Sequence, residues 1–246
     1  MAHHQEIAPV SDRKVASVPK RCVYCGAQAT TKDHVPPKSL FPSEYRDQLV
    51  TVPSCKQCNE GASKDDEFFR LFVSGHSFEH SGAAKTIFEG PVTRGASYKS
   101  GMVKDFMTKI EFVDAWTPTG LYAGKVTATK FSAEDWDRFY RVIRRVTKGL
   151  LYHRYKEILP NDFEIKINFC DDEQLSKLVP ILQIEPASTT SDIFRYGHAK
   201  ATDDPTSIWV MSFYEKITFA AWVGFKGALA DGPKRSSVVR RVIDLR

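Results

Sequence analysis

Two stretches of the sequence decide the fold of its first third: RCVYCGAQATTKDHVPPK (residues 21–38) and SCKQCNEGASKDD (residues 54–66). Each contains one C-x-x-C pair, and 29 residues separate the pairs. The four cysteines are Cys22, Cys25, Cys55 and Cys58. Two such pairs complete the tetrahedral four-thiolate coordination that is typical of structural zinc. The spacing therefore predicts a closed zinc site, and the doubled motif disfavours the alternatives of four unrelated buried thiols or a redox pair.

The segment around these pairs, residues 20–67, is rich in turn-forming residues and poor in apolar ones. A structural zinc ion contributes about 10–16 kcal/mol to the folding of such segments, which can replace a missing core. We therefore expect zinc to hold this segment together. The fifth cysteine, Cys170, follows a strand-like run and is predicted to be a small buried residue.

The residues that suggest chemistry lie between the cysteine pairs and just after them. Asp33 and His34 are adjacent, and Asn59 directly follows Cys58. In this order the sequence resembles the HNH endonucleases, the zinc-stabilised branch of the ββα-metal (His-Me finger) nucleases. The matching motifs are CVYC, DHVPPK, VTVPSCKQCN and SKDD, which fall within residues 20–70, about a fifth of the chain.

The resemblance implies a ββα module in which His34 is the general base. It implies that Asp33 and Asn59 bind a catalytic Mg²⁺ or Mn²⁺ ion. Asp66, seven residues after Asn59, is a further candidate ligand because this spacing places both on one face of a continuous helix. The family's middle Asn has no secure counterpart here, and Gln48 or Asp47 could replace it.

The chemistry of these residues agrees with that role. A histidine with a pKa near 6.5 is a suitable general base at neutral pH. Carboxylate and amide oxygens are hard ligands that suit Mg²⁺. Structural alternatives exist for each residue: His34 as a polar loop residue, Asp33 as an ordinary loop acid, and Asn59 as the N-cap of a helix.

The chain divides by composition into four parts. Residues 1–19 are predicted to be a flexible tail, 20–80 the zinc module, 81–105 a linker or long loop, and 106–246 an α+β domain of unknown role. The module includes a helix over 59–74 that ends at Gly75, and the larger domain includes a long helix over 132–159. Strands are predicted over residues 109–114, 121–130, 163–169, 179–185, 207–214 and 216–224. This order favours α+β architecture with a mainly antiparallel sheet.

The charge is mildly basic, with a net charge of +5. Residues 1–80 are neutral overall, so the excess lies in the second part. The long helix carries a basic stripe on one face, formed by Arg138, Arg141, Arg145 and Lys148. We predict that these residues, with Lys38 and Lys64 beside the motifs, contact a nucleic-acid backbone. A solvated outer face is the alternative for the stripe. A set of aromatic residues is predicted to lie in the core: Trp209, Phe213, Phe219 and Trp222.

A competing metal site would combine Cys55 and Cys58 with His76 and His80, but the intervening 17 residues exceed the usual spacing of such fingers. No apolar run reaches the roughly 18 residues of a membrane span, and the N-terminus lacks a signal-peptide core. A cytoplasmic protein is therefore expected, and the sequence leaves a homo-oligomer open. Two functions follow from the resemblance. The first is a metal-dependent endonuclease acting on nucleic acid, with DNA favoured. The second is a catalytically decayed module that binds nucleic acid or protein.

Overall fold

The structure is a computed structural model that describes residues 20–47, 49–92, 100–117, 119–185, 190, 192–229 and 238–240. The predicted N-terminal tail, residues 1–19, lies outside the described residues, as does Gln48. Over the described part the chain is a mixed α+β protein with antiparallel sheets, as predicted. Within these residues, no helix is both long and apolar enough to cross a membrane.

The first part of the chain consists of two antiparallel strands followed by two helices. Strand β1 (Thr31–His34) pairs with β2 (Thr51–Ser54), and helices α1 (Lys56–Gly61) and α2 (Ser63–Ser77) follow. The predicted helix over 59–74 is thus two helices, and it passes through Gly75 instead of ending there. Glycine in a helix interior costs about 1 kcal/mol, and burial of the α2 side chains on either side of Gly75 outweighs this cost.

The predicted linker over 81–105 is largely helical. It contains α3 (Gly82–Ile87), a wide helical turn (Phe88–Val92) and α4 (Ser100–Thr108). The Ser81 hydroxyl accepts a hydrogen bond from the Ala84 N–H and caps α3. Ala83, Ala84 and Ile87 of α3 are buried, so packing and capping override a composition that is typical of loops.

Two further sheets complete the fold. Strands β3 (Ile110–Trp116), β4 (Tyr122–Lys130) and β10 (Val238–Arg240) form a sheet in the order β10-β4-β3. The second sheet has the order β5-β9-β8-β7-β6, and its strands are β5 (Phe163–Phe169), β6 (Gln183–Ile184), β7 (Phe194–Lys200), β8 (Ser207–Phe213) and β9 (Ile217–Phe225). All pairings are antiparallel.

The sequence prediction misses three elements of this region and misplaces a fourth. It contains neither strands β7 and β10 nor helix α6 (Asp172–Leu178), and the expected strand over 179–185 is a 3-10 turn (Val179–Ile181) followed by the short β6. Asp171 and Gln174 form a capping box that starts α6 directly after β5. The proline in the 3-10 turn lacks the N–H that a strand ladder requires, which keeps β6 short.

The long helix is α5 (Ala133–Tyr155), and it starts at the predicted position. Ser132 and Asp135 form a capping box at its beginning. It ends before the predicted limit at Leu159 because Lys156 adopts a left-handed conformation with φ 60°. The apolar face of α5 is buried, and it includes Trp136, Phe139, Tyr140, Ile143 and Leu150.

The core is continuous between the first part of the chain and the rest. Phe69 of α2 packs edge-on against Phe213 of β8, and Phe72 stacks on Phe139 of α5. Apolar residues of the cysteine-rich segment join the same cluster: Val23, Val35, Leu40, Phe41 and Val52. The segment over 20–67 therefore shares a hydrophobic core with α5 and the five-stranded sheet, contrary to the expectation that it has little core.

Candidate functional site

The four predicted zinc ligands come together. The ligand atoms of Cys22, Cys25, Cys55 and Cys58 all lie within 4.8 Å of one another. A tetrahedron with metal–sulfur bonds of about 2.3 Å has sulfur–sulfur edges of about 3.8 Å, and the Sγ atoms of Cys25 and Cys55 are 3.7 Å apart. The cluster can therefore hold a metal ion such as zinc.

The other cysteine and the competing histidines do not join this cluster. Cys170 is buried at the end of β5, as predicted. His76 places Nδ1 3.0 Å from the Phe72 carbonyl and Nε2 3.1 Å from the Thr129 hydroxyl, so it links α2 to β4. The two-cysteine, two-histidine alternative is therefore inconsistent with the structure.

Asp33 is a buried residue of β1 whose carboxylate is already paired. The Tyr24 hydroxyl donates a hydrogen bond of 2.8 Å to Oδ2 of Asp33. The same oxygen accepts a hydrogen bond of 2.5 Å from the Arg145 guanidinium of α5. Asp33 is therefore not an ordinary loop acid, because it lies in a strand and forms an ion pair with a residue 112 positions away.

Asp66 lies on the other side of the same guanidinium. The Arg145 Nη1 atom donates to Asp66 at 2.8 Å, so one arginine bridges two carboxylates. Burial, with a contribution from Asp33, raises the pKa of Asp66 to about 6, although Arg145 opposes the shift. Asp66 was a candidate metal ligand because it was expected to share one face of a continuous helix with Asn59. That expectation is wrong, because the helix is interrupted at Ala62, between the two residues.

The rest of the basic stripe also faces acidic groups of this chain. Arg138 and Arg141 both bind the Asp65 carboxylate, at 3.2 and 2.7 Å. Burial would raise the pKa of Asp65, but these two arginines hold it below its ordinary value. The Lys148 ammonium donates to the Tyr24 carbonyl at 3.1 Å.

The basic stripe of α5 therefore differs from both predictions that the sequence allowed for it. Neither the predicted phosphate contact nor the solvated alternative describes Arg138 and Arg145, whose side chains are less than a fifth exposed. Arg141 remains half exposed. The stripe is the face of α5 that binds the first part of the chain, since α2 presents two adjacent acids to it. Lys38 and Lys64 are exposed, and their contact with nucleic acid stays a prediction.

Asn59 fastens α1 to β1. Its amide nitrogen donates to the Thr31 hydroxyl and to the Lys32 carbonyl, both at 3.2 Å. Because the Lys32 carbonyl can only accept, the amide nitrogen must face the strand and the amide oxygen is turned away from it. Cys55, not Asn59, is the N-cap of α1, so the capping alternative is excluded.

His34 is the last residue of β1 and is partly exposed. Strand alternation directs Asp33 and His34 to opposite sides. Burial and the nearby Lys38 lower the pKa of His34, and the Asp33 carboxylate opposes this shift. The lowered pKa favours the neutral imidazole, which is the form that can accept a proton.

Comparison of the chain with protein-family models, with curated proteins and with solved structures gives no match. The residues of this site that the sequence prediction missed are the partners of Asp33. Tyr24 lies inside the first cysteine pair and carried no recognisable signal. The sequence predicts Arg145 only as a member of the basic stripe, and no pattern in the sequence connects this residue to Asp33.

Proposed function

We propose that the protein is a metal-dependent HNH-type endonuclease that hydrolyses phosphodiester bonds in nucleic acid, with DNA favoured. The observation that carries this proposal is the hydrogen bonding of Asn59 to Thr31 and Lys32. These residues directly precede Asp33 and His34, so the three residues implied by the family resemblance belong to one strand–helix junction. Two members of the four-cysteine cluster lie at the start of the same helix: Cys55 is its N-cap, and Cys58 directly precedes Asn59.

In this proposal His34 removes a proton from the attacking water. The neutral imidazole at the exposed end of β1 suits that role, since a general base must be unprotonated at the working pH. Asp33 and Asn59 carry oxygen donors that fit Mg²⁺ or Mn²⁺: the Asn59 amide oxygen is turned away from β1, and Oδ1 of Asp33 is not used by Tyr24 or Arg145. Such an ion, when bound, would stabilise negative charge on the phosphate.

Arg145 gives a specific reason to keep the second candidate function. Its guanidinium neutralises Asp33 in the folded protein, and a divalent ion bound to Asp33 would face that positive charge. A catalytically decayed module that binds nucleic acid or protein would keep this ion pair as a purely structural contact. The two functions differ in whether His34 is needed for cleavage.

The test compares His34→Ala with His80→Ala in a plasmid-nicking assay with zinc-loaded protein and added Mg²⁺ or Mn²⁺. His80 is an exposed histidine in the turn after α2 and serves as the matched control. We expect His34→Ala to lower the cleavage rate about 10²–10⁴-fold, with zinc content and thermal stability unchanged. His80→Ala is expected to cleave as the wild type does.

Two results would overturn the assignment. Wild-type protein that cuts neither DNA nor RNA with either ion, while containing zinc, would favour the decayed module. Equal cleavage by His34→Ala and His80→Ala would remove the general-base role of His34. Asn59→Asp, which keeps an oxygen donor, should retain metal-dependent activity better than Asn59→Leu, and equal activities would remove Asn59 from the ion site.

A further inference from the structure

Tyr24 lies between the two cysteines of the first pair, and its side chain reaches the Asp33 carboxylate. The Tyr24 hydroxyl donates a hydrogen bond of 2.8 Å to Oδ2 of Asp33. An ionised carboxylate can only accept hydrogen bonds, so the hydroxyl must be the donor. This bond is a direct link between the cysteine cluster and a residue of the proposed ion site.

The main chain around Tyr24 is fixed by hydrogen bonds on both sides. The Val23 N–H donates to the Pro53 carbonyl of β2 at 3.0 Å. The Gly26 N–H donates to the Cys22 carbonyl at 2.9 Å, which closes the turn between the two cysteines. A metal ion bound to the cluster would hold the cysteines on either side of Tyr24 as well.

Helix α5 fixes the rest of the residue. The Lys148 ammonium donates to the Tyr24 carbonyl at 3.1 Å, and the Arg145 guanidinium carbon lies 5.4 Å from the centre of the Tyr24 ring. A cation at this distance from an aromatic ring is attracted to it. The position of the Tyr24 hydroxyl is therefore determined by the cysteine turn, β2 and α5 together.

Two donors meet on a single oxygen of Asp33. Oδ2 accepts from both Tyr24 and Arg145, whereas Oδ1 has no hydrogen-bond partner among the residues that the structure describes. Rotation of the carboxylate about its Cβ–Cγ bond would break both hydrogen bonds, so the pair of donors fixes its orientation. The Asp33 side chain is 9% exposed, so water offers little replacement for a lost donor.

We propose that Tyr24 is a positioning residue: its hydroxyl holds Asp33 in the orientation that binds the divalent ion of the proposed active site. Carboxylates that bind metal ions are themselves oriented by hydrogen bonds from outer groups, and loss of such a group weakens metal binding about 10–100-fold. Arg145 acts on the same oxygen but repels a cation, whereas Tyr24 orients the carboxylate without adding charge. The inference rests on the proposed function, because it concerns how one of its ion ligands is held.

The test measures Mn²⁺ binding by full-length, zinc-loaded protein at pH 7.5, with electron paramagnetic resonance of the unbound ion. Tyr24→Phe removes the hydroxyl and keeps the ring. Tyr122→Phe is the matched control, because the Tyr122 hydroxyl also donates to an aspartate, Asp114, at 3.1 Å, but on the exposed face of β3 and β4. Asp33→Asn assigns the bound ion to the proposed site, because both donors would hold its amide oxygen and its amide nitrogen would replace Oδ1.

We expect the wild type and Tyr122→Phe to bind Mn²⁺ with the same Kd, Tyr24→Phe to bind it about 10–100-fold more weakly, and Asp33→Asn to lose it. Tyr24→Phe should keep its zinc, which distinguishes a lost orientation of Asp33 from a lost cysteine cluster. Equal Kd values for the two phenylalanine variants would overturn the inference. So would Mn²⁺ binding that is unchanged in Asp33→Asn, or loss of zinc from Tyr24→Phe, since the hydroxyl would then support the cluster and not Asp33.

This experiment separates the inference from the proposed function, because binding is measured without nucleic acid. A protein that binds Mn²⁺ more weakly as Tyr24→Phe, but cuts no nucleic acid, would keep the positioning role of Tyr24 and lose the nuclease assignment. A protein that cuts, and whose Tyr24→Phe variant binds Mn²⁺ as Tyr122→Phe does, would give the opposite result.

Discussion

Replacement of Arg145 by methionine should destabilise the protein strongly, because Arg145 contacts both Asp33 and Asp66. The side chain of Arg145 is 17% exposed, and those of Asp33 and Asp66 are 9% and 16% exposed. Arg145→Met keeps most of the apolar stem and removes the charge. Both carboxylates are then left in a poorly solvated site, and breaking a buried pair in this way costs about 3–5 kcal/mol.

Arg141→Met is the matched control on the same helix face. Arg141 is half exposed, and Asp65 retains Arg138 when Arg141 is removed. Loss of an exposed ion pair costs about 0–1 kcal/mol. Urea denaturation of the zinc-loaded proteins at pH 7.5 measures both variants, and a difference of about 3 kcal/mol in the free energy of unfolding is expected. A difference below about 1 kcal/mol would refute a buried ion pair.

The pH dependence provides a second check on the same reasoning. Burial already raises the pKa of Asp66 to about 6, and without the opposing Arg145 this pKa should rise further. A carboxyl with a raised folded pKa binds its proton more readily in the folded state, so the stability deficit should be largest at high pH and should shrink as pH falls through that pKa. The double variant Arg145→Met, Asp66→Asn should recover part of the lost stability, since one unpaired charge is gone.

Three further predictions concern the zinc site, a close helix–loop contact and a buried histidine. Cys58→Ser should lose the single zinc ion and unfold at lower temperature, whereas Cys170→Ser should keep one zinc per chain by metal analysis. Gly149→Ala should destabilise the protein by about 1–3 kcal/mol, since its Cβ would lie 2.8 Å from a Val35 methyl carbon. In a Val35→Ala background the same change should cost less, because the methyl groups are gone and only the Cβ of residue 35 stays close, at 3.2 Å; an equal cost in the two backgrounds would contradict the clash. Burial lowers the pKa of His198, so as the pH falls the imidazole is protonated in the unfolded chain before it is protonated in the folded protein. The free energy of unfolding should therefore decrease as pH drops from 7 to 5. In urea titrations His198→Gln should flatten this pH dependence, and an unchanged slope would show that other groups cause it.

Much of the local structure follows from sequence patterns because it depends on neighbours along the chain. The two C-x-x-C pairs identify the cysteine cluster, since a spacing of two residues allows both thiolates of a pair to bind the same ion. The start of α5 follows from the Ser132 cap and the acids after it, and its buried face follows from helical spacing. Strand β5 follows from its alternating apolar residues.

Other features of the molecule depend on contacts that no local pattern records. The basic stripe of α5 looked like a surface for an external anion, but its arginines meet Asp65, Asp66 and Asp33 of the same chain. The helices over the expected linker form because the core accepts their apolar residues, whereas composition alone describes a loop.

The sequence by itself thus determined the four cysteines, the α+β class and the adjacency of Asp33 and His34. Only the tertiary structure decided what surrounds the Asp33 carboxylate. Tyr24 reaches it from the first cysteine pair and Arg145 reaches it from α5, 112 positions later. The strength of an ion pair depends on the distance between the two charges in space. The sequence does not show whether the carboxylate of an aspartate is solvated or paired with a cation in the core. The fold brings α5 beside β1 and β2 because Val35, which follows β1, Val52 of β2 and the apolar face of α5 are buried in one core, and that packing places Arg145 beside Asp33.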